Sequence, residues 1–250
     1  MKRKLSGNNK EKEGMTRLNK FLAQCGVCSR READKLICQG AVTINGIKAV
    51  PGMLVSEEDS VAVYGKLLAG VEKKAVLAYY KPLGVVCTAR DRHAERTVSE
   101  QIKYPVRLTY AGRLDKDSEG LLLMTNDGEL IDAMMRGANR HEKEYIVKVD
   151  KPLKEDVLRK LRSGIYLEEL DLTTRECKIE KLGSYTMKMI LTQGVNRQIR
   201  RMCKTVGYRV KSIKRTRIMN VELANLRSGE YRELNTAEMR ELYLACGIKR

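Results

Sequence analysis

The sequence has no tryptophan, a single phenylalanine and two histidines, and its apolar runs are short. No run approaches the roughly 18 residues of a transmembrane helix, and residues 1–14 lack the apolar centre of a secretory signal. We therefore expect a cytoplasmic protein that does not contact a membrane. The scarcity of large aromatic rings argues against a broad platform on which the bases of single-stranded nucleic acid stack.

Paired cysteines are also lacking. The seven cysteines are odd in number and scattered along 250 residues, which argues against a disulfide framework. Cys25 and Cys28 have the spacing of metal ligands, but no second pair follows, and His93 and His141 are isolated. We expect reduced thiols and no metal site.

Acidic residues are outnumbered, because 32 Asp and Glu stand against 49 Lys and Arg, for a net charge of +17. Such an excess creates a positive surface potential that attracts polyanions. With 42% hydrophobic residues, a chain of this length can bury a substantial core in one or two domains. The composition therefore indicates a folded protein whose first candidate partner is nucleic acid.

Residues 1–14 are charged and nearly free of large apolar groups, which predicts a flexible basic arm. Ordered structure is predicted to begin at Thr16, a favourable N-cap, with apolar residues following at helical spacing. Gly26 is expected to end this first helix.

A second helix is predicted between Ser29, which forms a Ser-x-x-Glu capping box with Glu32, and Gly40. The pair Asn45-Gly46 favours a type I′ hairpin turn between two short strands. Residues 61–63 offer a further strand. Helix, helix and hairpin thus form a small module over residues 15–64.

The outer helical faces of this module carry five cations with few opposing acids, an arrangement suited to phosphate groups. The segment RLNKFLAQCGVCSRREADKLICQGAVTINGIKA, residues 17–49, resembles an S4 RNA-binding domain along nearly its whole length. The candidate RNA-binding residues here are Arg17, Lys20, Arg30, Arg31 and Lys35.

Residues 65–74 contain two glycines and no clear period, so they are predicted to be a linker to a larger domain over residues 75–250. Strands and helices mix there without regular alternation, which predicts an α+β domain with a mostly antiparallel sheet. The strand candidates are residues 75–80, 120–125, 145–149, 175–182, 185–192 and 208–217. The helix candidates are residues 129–135, 152–161, 197–206 and a last helix starting near Thr236.

The densest polar segment is AGRLDKDSEGLLLMTNDGEL, residues 111–130, which leads directly into an apolar strand. Asp115, Asp117 and Glu119 imitate the first ligands of a calcium-binding loop, but position 12 would be Asn126 rather than a bidentate Glu. A charged turn whose Asp side chains satisfy backbone donors is the plainer alternative. A polar loop anchored on a rigid strand is also typical of an active site.

The run GRLDKDSEGLLLMTNDGEL resembles the catalytic motif of the RsuA/RluB/RluE/RluF family of pseudouridine synthases. Other family elements follow in order: YYKPLGVVCT at residues 79–88, HEKEYIVKV at 141–149 and LTQGVNRQIRRMC at 191–203. NRQIRRMC together with RTRIMNV, residues 215–221, is most similar to the RluF type, which modifies a stem-loop of large-subunit (23S) ribosomal RNA. The resemblance implies an S4 domain followed by a pseudouridine synthase domain that needs no cofactor.

By this resemblance Asp115 is the essential carboxylate, which attacks either C6 of uracil or C1′ of the ribose. Arg200 would pair with Asp115, orienting it and keeping it charged. Tyr145 would lie against the extruded base and could move a proton. Ile199 would pack beneath the uracil, and Arg113 would stack in the gap that the base leaves.

Residues 196–217 contain nine Lys or Arg and no acid, so this segment is expected to bind phosphates. We expect contacts from Arg197, Arg201 and Lys204. Two other functions compete with the synthase. A noncatalytic S4-type assembly factor would not need Asp115, Tyr145 and Arg200 together. A methyltransferase would need a cofactor pocket, for which no G-x-G-x-x-G fingerprint is present.

The expected partner is ribosomal RNA, with a small-subunit or transfer RNA uridine as the alternative target. Nothing in the sequence demands a dimer, so we expect a monomer.

Overall fold

The computed structural model describes residues 14–88, 97–136 and 140–249. The predicted arm up to residue 13, His93 and the predicted helix end at Gly137 lie outside these ranges. The chain divides into two compact units, Met1–Lys73 and Lys74–Arg250. Within the described ranges, no helix combines the length and the hydropathy that crossing a membrane requires.

The first unit contains two short helices and two small sheets. Its elements are β1 (Thr16–Arg17), α1 (Leu18–Gln24), α2 (Arg30–Cys38), β2 (Val42–Ile44), β3 (Ile47–Lys48), β4 (Leu54–Val55), β5 (Val61–Val63) and β6 (Lys66–Leu67). Strands β3, β2, β5 and β6 form one antiparallel sheet in that order, and β1 pairs with β4. Leu18, Leu22 and Ile37 on the helices pack with buried valines of the strands.

The local signals at the second helix and the hairpin are confirmed. The Ser29 hydroxyl accepts a hydrogen bond from the Glu32 amide at 3.3 Å, and the Glu32 carboxylate accepts one from the Ser29 amide at 3.0 Å. Asn45 and Gly46 both have positive φ, 51° and 80°, as a type I′ turn requires.

Two predictions in this unit were wrong. Thr16 is not an N-cap, because it pairs with Val55 in an extended conformation and the helix begins two residues later. The predicted linker is also shorter than expected, because Lys66–Leu67 pairs with β5. Thr16 is held by pairing with Val55 across the fold, which leaves little trace in the local sequence. Strand β6 instead follows β5 directly through a tight turn at Tyr64 and Gly65, both of which have positive φ.

The second unit is built on one large sheet. Its strands are β7 (Val76–Lys81), β8 (Thr109–Tyr110), β9 (Glu119–Thr125), β10 (Lys143–Val149), β11 (Tyr166–Leu167), β12 (Leu172–Thr173), β13 (Lys178–Gly183), β14 (Thr186–Leu191), β15 (Val210–Ile218), β16 (Val221–Glu222) and β17 (Tyr231–Glu233). Its helices are α3 (Val98–Gln101), α4 (Gly128–Met135), α5 (Glu155–Arg162), α6 (Gln198–Thr205) and α7 (Thr236–Ala245), with a 3₁₀ turn at Glu168–Leu170.

The sheet runs in the order β13, β14, β10, β15, β9, β7, β17, with β16 added to β15 and β8 added to β9. Its pairs are antiparallel except for β15 and β9, which run parallel. The predicted α+β fold with a mostly antiparallel sheet is therefore confirmed. Strands β11 and β12 form a separate hairpin.

Both faces of the central strands are covered. On one face, Leu77 and Leu122 belong to a core that includes residues of α5 and α6. On the other, Val76 and Leu121 join residues of α4 and α7. Because neighbouring side chains in a strand point to opposite faces, β7 and β9 are apolar along nearly their whole length.

The six predicted strands and four predicted helices of this unit are present, with ends that differ by a few residues. The largest shift at a helix start is in α5, which begins at Glu155 rather than Pro152. The amide of Leu153 donates to the Ser184 carbonyl at 2.7 Å and keeps the preceding segment extended. Strand β13 begins at Lys178 rather than Arg175.

Glycine is required where β9 meets β15. Gly120 has φ +108°, and a Cβ atom built there would lie 2.3 Å from the carbonyl oxygen of Arg215. This close approach brings the middle of β15 next to the polar segment that precedes β9.

Candidate active site

The segment between β8 and β9 carries Asp115 in a tightly held turn. The Ser118 amide donates to the Asp115 carbonyl at 3.1 Å, and the Gly84 amide donates to the Lys116 carbonyl at 2.9 Å. Leu114 is buried beside them, whereas Asp115 is only partly buried. The backbone thus holds the carboxylate at an accessible position.

Arg215 braces both ends of this segment. Its side chain is only 2% exposed; Nε donates to the Leu121 carbonyl at 2.6 Å and Nη1 to the Arg113 carbonyl at 3.3 Å. Nη2 is buried and has no hydrogen-bond partner among the described residues. One guanidinium therefore ties together the two ends of the turn that carries Asp115.

The segment forms one wall of a cleft of about 450 Å³, which Tyr145 and Ile199 also line. Among the described residues that line it, Asp115 is the sole carboxylate. Six cations surround the cleft: Arg113, Lys116, Arg136, Lys143, Arg197 and Arg215. Such a cleft favours an anionic ligand and concentrates positive potential around one carboxylate.

Strand β10 supplies the opposite wall. Tyr145 is buried and pairs in register with Arg215 of β15. Lys143, two residues earlier on the same face of β10, also lines the cleft. The predicted tyrosine is therefore brought together with Asp115 and Ile199, as the resemblance implied.

The predicted pairing of Arg200 with Asp115 was wrong. Arg200 contacts Asp117 instead: Nη2 donates to its backbone carbonyl at 2.6 Å, and Nε lies 3.3 Å from its carboxylate. Nη1 reaches the Val210 carbonyl at 3.4 Å. The neighbouring Ile199 lines the cleft, whereas Arg200 reaches the turn two residues beyond Asp115.

Arg197 contacts the same carboxylate. Its two terminal nitrogens donate to the two oxygens of Asp117 at 3.1 and 2.8 Å, from a residue with left-handed backbone (φ 52°) just before α6. Burial opposes ionisation of Asp117, but the hydrogen bonds from Arg197 and the charge of Arg200 lower its pKa overall. Asp117 thus links the Asp115 turn to the start of α6.

The remaining predicted cations of α6 are paired with an acid. Arg201 forms an ion pair with Glu169, and the Lys204 amine lies 3.0 Å from the same carboxylate. Glu169 belongs to the 3₁₀ turn between β11 and β12. Their positive charge is therefore partly neutralised within the molecule.

Two lysines near the cleft have lowered pKa values. Burial lowers the pKa of Lys81, which is 0% exposed, to about 8, and its amine donates to the carbonyls of Pro82 and Val85. Burial, together with the charge of Arg215, also lowers the pKa of Lys143 to about 8. Because burial is the main cause in both cases, the surroundings of each lysine disfavour its charged form.

No individual role at the active site was predicted for Asp117, Lys143 or Arg215, although all three lie inside the quoted motifs. A signal was present for Lys143, which has the strand spacing to share a face with Tyr145. The bracing role of Arg215 depends on the parallel contact between β9 and β15, which no local pattern reveals.

In the first unit, the five predicted RNA-binding residues lie on the surface. Arg17, Arg30, Arg31 and Lys35 are exposed and Lys20 is partly buried. Within the described part of the chain, none of the five forms an ion pair with an acid. Burial raises the pKa of Cys25 to about 11, with a further contribution from Glu72.

A family model described as RNA pseudouridylate synthase matches residues 75–205, more than half of the chain. The chain belongs to this family. A second model, the S4 domain, matches residues 16–61. The predictions of a pseudouridine synthase and of an S4 domain are both confirmed, and the protein is an isomerase that acts on RNA.

Curated relatives cover nearly the whole chain. "Dual-specificity RNA pseudouridine synthase RluF" of Escherichia coli (strain K12) is 42% identical over 233 residues, 92% of this chain and 79% of the relative. "Ribosomal large subunit pseudouridine synthase B" of Bacillus subtilis (strain 168) is 36% identical over 234 residues, 91% of this chain and 96% of the relative.

A solved structure described as "Crystal structure of pseudouridylate synthase" matches with a TM-score of 0.67 and 33% identity, covering 90% of this chain and 99% of that one. The match with this solved structure therefore includes residues of both units. The family assignment therefore replaces the two alternative functions, a noncatalytic assembly factor and a methyltransferase.

Proposed function

We propose that this synthase converts a specific uridine in a stem-loop of large-subunit (23S) ribosomal RNA to pseudouridine, with Asp115 as the nucleophile. The similarity of residues 196–203 and 215–221 to the RluF type supports this target. The name of the Bacillus subtilis relative, which specifies the ribosomal large subunit, supports it further.

The single observation that carries the catalytic assignment is that Asp115 is the only carboxylate among the described residues lining an otherwise cationic cleft. In the reaction the N1–C1′ bond of uridine breaks, the uracil turns, and a C5–C1′ bond forms. C5 loses its proton and N1 gains one. A carboxylate that forms a covalent adduct divides this exchange into two easier steps.

Tyr145 lies against the base in this proposal, since its buried ring lines the same cleft as Asp115. Ile199 is 5% exposed and packs beneath the uracil. Arg200 acts indirectly, because its hydrogen bond to the Asp117 carbonyl holds the turn on which Asp115 stands.

A stacked uracil cannot enter the cleft, so we propose that the base is extruded from the RNA. Extrusion requires a few kcal/mol, least in loops and bulges, which favours a stem-loop substrate. Arg113 is exposed and lines the cleft two residues before Asp115. Its planar guanidinium is suited to stack in the gap that the base leaves.

The RNA backbone contacts cations on both units in this proposal. The predicted cations of the S4 domain, which form no ion pair among the described residues, bind phosphates directly. Arg197 just before α6, and Arg201 and Lys204 on it, already have acidic partners, so RNA must compete with Asp117 and Glu169 for them.

Mapping pseudouridines in cells that lack this protein tests the proposed function. One position in a large-subunit stem-loop should lose its pseudouridine, wild-type protein should restore it, and Asp115→Asn should not. Transfer RNA belongs in the same map, because a transfer RNA uridine is the alternative target. A large-subunit RNA that is fully modified without the protein contradicts the proposed target.

A further inference from the structure

Lys143 stands at the first position of β10 and lines the same cleft as Asp115. It shares a strand face with Tyr145, which in turn lies opposite Arg215 on β15. The pseudouridine synthase assignment explains Tyr145 but leaves this lysine unused.

The amine of Lys143 makes fewer hydrogen bonds than it could. Among the described residues, its one hydrogen bond goes to the His141 carbonyl at a long 3.3 Å, and an ammonium has three donors. Within the described residues it has no carboxylate within ion-pair distance. The nearby charge of Arg215 opposes it instead. A partly buried cation in these surroundings is destabilising unless a ligand uses it.

The groups that line the cleft with Lys143 come from every element around it. Tyr145 shares its strand, His141 precedes that strand, Arg215 comes from β15, and Cys87 from the segment after β7. The Asp115 turn adds one carboxylate between Arg113 and Lys116, and the ends of α4 and α6 add Arg136 and Arg197. Burial lowers the pKa of His141 and raises that of Cys87.

We infer that Lys143 is a further catalytic residue, whose ammonium donates a hydrogen bond to a uracil carbonyl oxygen as negative charge builds there. The inference rests on the proposed use of this cleft for the extruded uridine. Asp115 forms the covalent adduct and Tyr145 lies against the base. Lys143 stabilises the negative charge that develops on the uracil.

The chemistry requires such a donor on either route open to Asp115. If the carboxylate adds to C6, the electron pair of the C5–C6 double bond moves onto O4. If the N1–C1′ bond breaks first, its electron pair spreads over N1, O2 and O4. In both routes the pair returns when C5 bonds to C1′, so Lys143 need not give up a proton. A preorganised donor stabilises the transient oxyanion and needs no reorganisation during the reaction.

The test compares Lys143→Met, which keeps the length of the side chain, with Lys143→Arg, which keeps a charge that does not titrate. The substrate is total RNA labelled with 5-tritiated uridine, taken from cells that lack the protein, so that its natural target is present. Tritium release measures loss of the C5 proton. Filter binding measures RNA affinity, and thermal melting confirms that each variant is folded.

We expect Lys143→Met to lower kcat by about 10²- to 10³-fold, the loss typical of removing one oxyanion donor, with RNA affinity changed less than about threefold. Wild-type kcat/KM, which reports the free enzyme, should fall above about pH 8 as the amine loses its proton. Lys143→Arg should recover part of kcat and lack that alkaline decline.

Lys81 has a similarly lowered pKa, so the arginine variant decides which lysine titrates. If Lys143→Arg keeps the alkaline decline, or if Lys143→Met turns over within about twofold of wild type, the inference is wrong. Neither result contradicts the proposed function, because the Asp115→Asn variant tests that function separately in the same assay. If wild-type protein releases no tritium from this RNA, the proposed function fails instead.

Discussion

The two carboxylate oxygens of Asp117 accept hydrogen bonds from the two terminal nitrogens of Arg197, at 3.1 and 2.8 Å. Arg200 reaches the same residue through its backbone carbonyl and its carboxylate. Asp117 therefore joins the turn that carries Asp115 to the basic helix α6. The relationship suggests that Asp117 positions the catalytic turn without contacting the reacting atoms.

Asp117→Asn should lower kcat about tenfold, equivalent to about 1.4 kcal/mol of transition-state stabilisation. The loss is expected because the substitution weakens the contacts that hold the turn against α6. RNA affinity should not weaken, since Arg197 and Arg200 remain cationic. Tritium release and filter binding on the same variant separate these effects. Asp117→Glu should restore part of kcat, and a variant within twofold of wild-type kcat would argue against a positioning role.

Glu169→Gln should strengthen RNA binding, because it releases Arg201 and Lys204 from their shared acidic partner. The slope of log K against log salt should steepen by about 1 to 2, since each new phosphate contact releases counterions. Titrations at several salt concentrations measure this.

The matched control for Glu169 is Asp171→Asn in the same hairpin. Asp171 accepts a hydrogen bond from the Tyr166 hydroxyl at 2.8 Å and pairs with no cation in the described part of the chain. Its substitution should leave the salt slope nearly unchanged. Equal effects of the two substitutions would mean that only net charge matters and that α6 does not contact RNA.

Gly120→Ala should destabilise the protein by about 2–4 kcal/mol, combining overpacking with a backbone conformation that alanine disfavours. The new methyl group would lie 2.3 Å from the Arg215 carbonyl oxygen and 2.7 Å from its nitrogen. Urea unfolding measures the loss. Gly128→Ala is the control, because nothing lies within 4 Å of its Cβ position and residue 128 opens α4. If both variants are equally stable, the strands do not approach as closely as described.

Lys143→Met should raise the free energy of unfolding at pH 7, by about 1–2 kcal/mol once the partial exposure of the amine is allowed for. The sign follows from the lowered pKa of about 8 in the folded state, against 10.5 for an unperturbed lysine. Below pH 8 the amine is charged in both states, so its burial opposes folding fully. Between pH 8 and 10.5 the unfolded chain binds more protons, and wild-type stability recovers relative to the variant.

Urea unfolding of wild type and Lys143→Met at pH 7 and pH 10 checks this expectation. The stability difference should shrink at the higher pH. A difference that stays constant, or grows, would show that the amine is not desolvated in the folded protein.

Much of the fold could be predicted because its signals are local. The capping box of Ser29 and Glu32 and the Asn45-Gly46 turn depend on residues a few positions apart. The apolar runs at β7 and β9 mark strands covered on both faces. Short strands such as β16 and β17 were missed, because two or three residues carry no period. The partner of β17, strand β7, also lies far away in sequence.

The resemblance predicted which residues belong to the candidate site, but it did not predict all the contacts among them. Asp115, Tyr145 and Ile199 do line one cleft. The predicted partner of Arg200 was wrong. A motif determines which residue lies on the helix, whereas the carboxylate that Arg200 contacts depends on the path of a separate turn. The role of Arg215 was missed for a related reason. Leu121 and Arg113, whose carbonyls accept its hydrogen bonds, lie far from it in sequence and come close only in the folded chain.

The central claim, that Asp115 performs the chemistry on uridine, is tested most directly by single-turnover tritium release with Asp115→Asn. The substitution replaces a carboxylate with an amide of nearly the same shape, so RNA affinity should stay within about threefold while the rate falls by at least about 10⁴-fold, as when an enzyme loses its nucleophile. Release of tritium at a rate within tenfold of wild type would contradict the claim and place the reacting group elsewhere in the cleft.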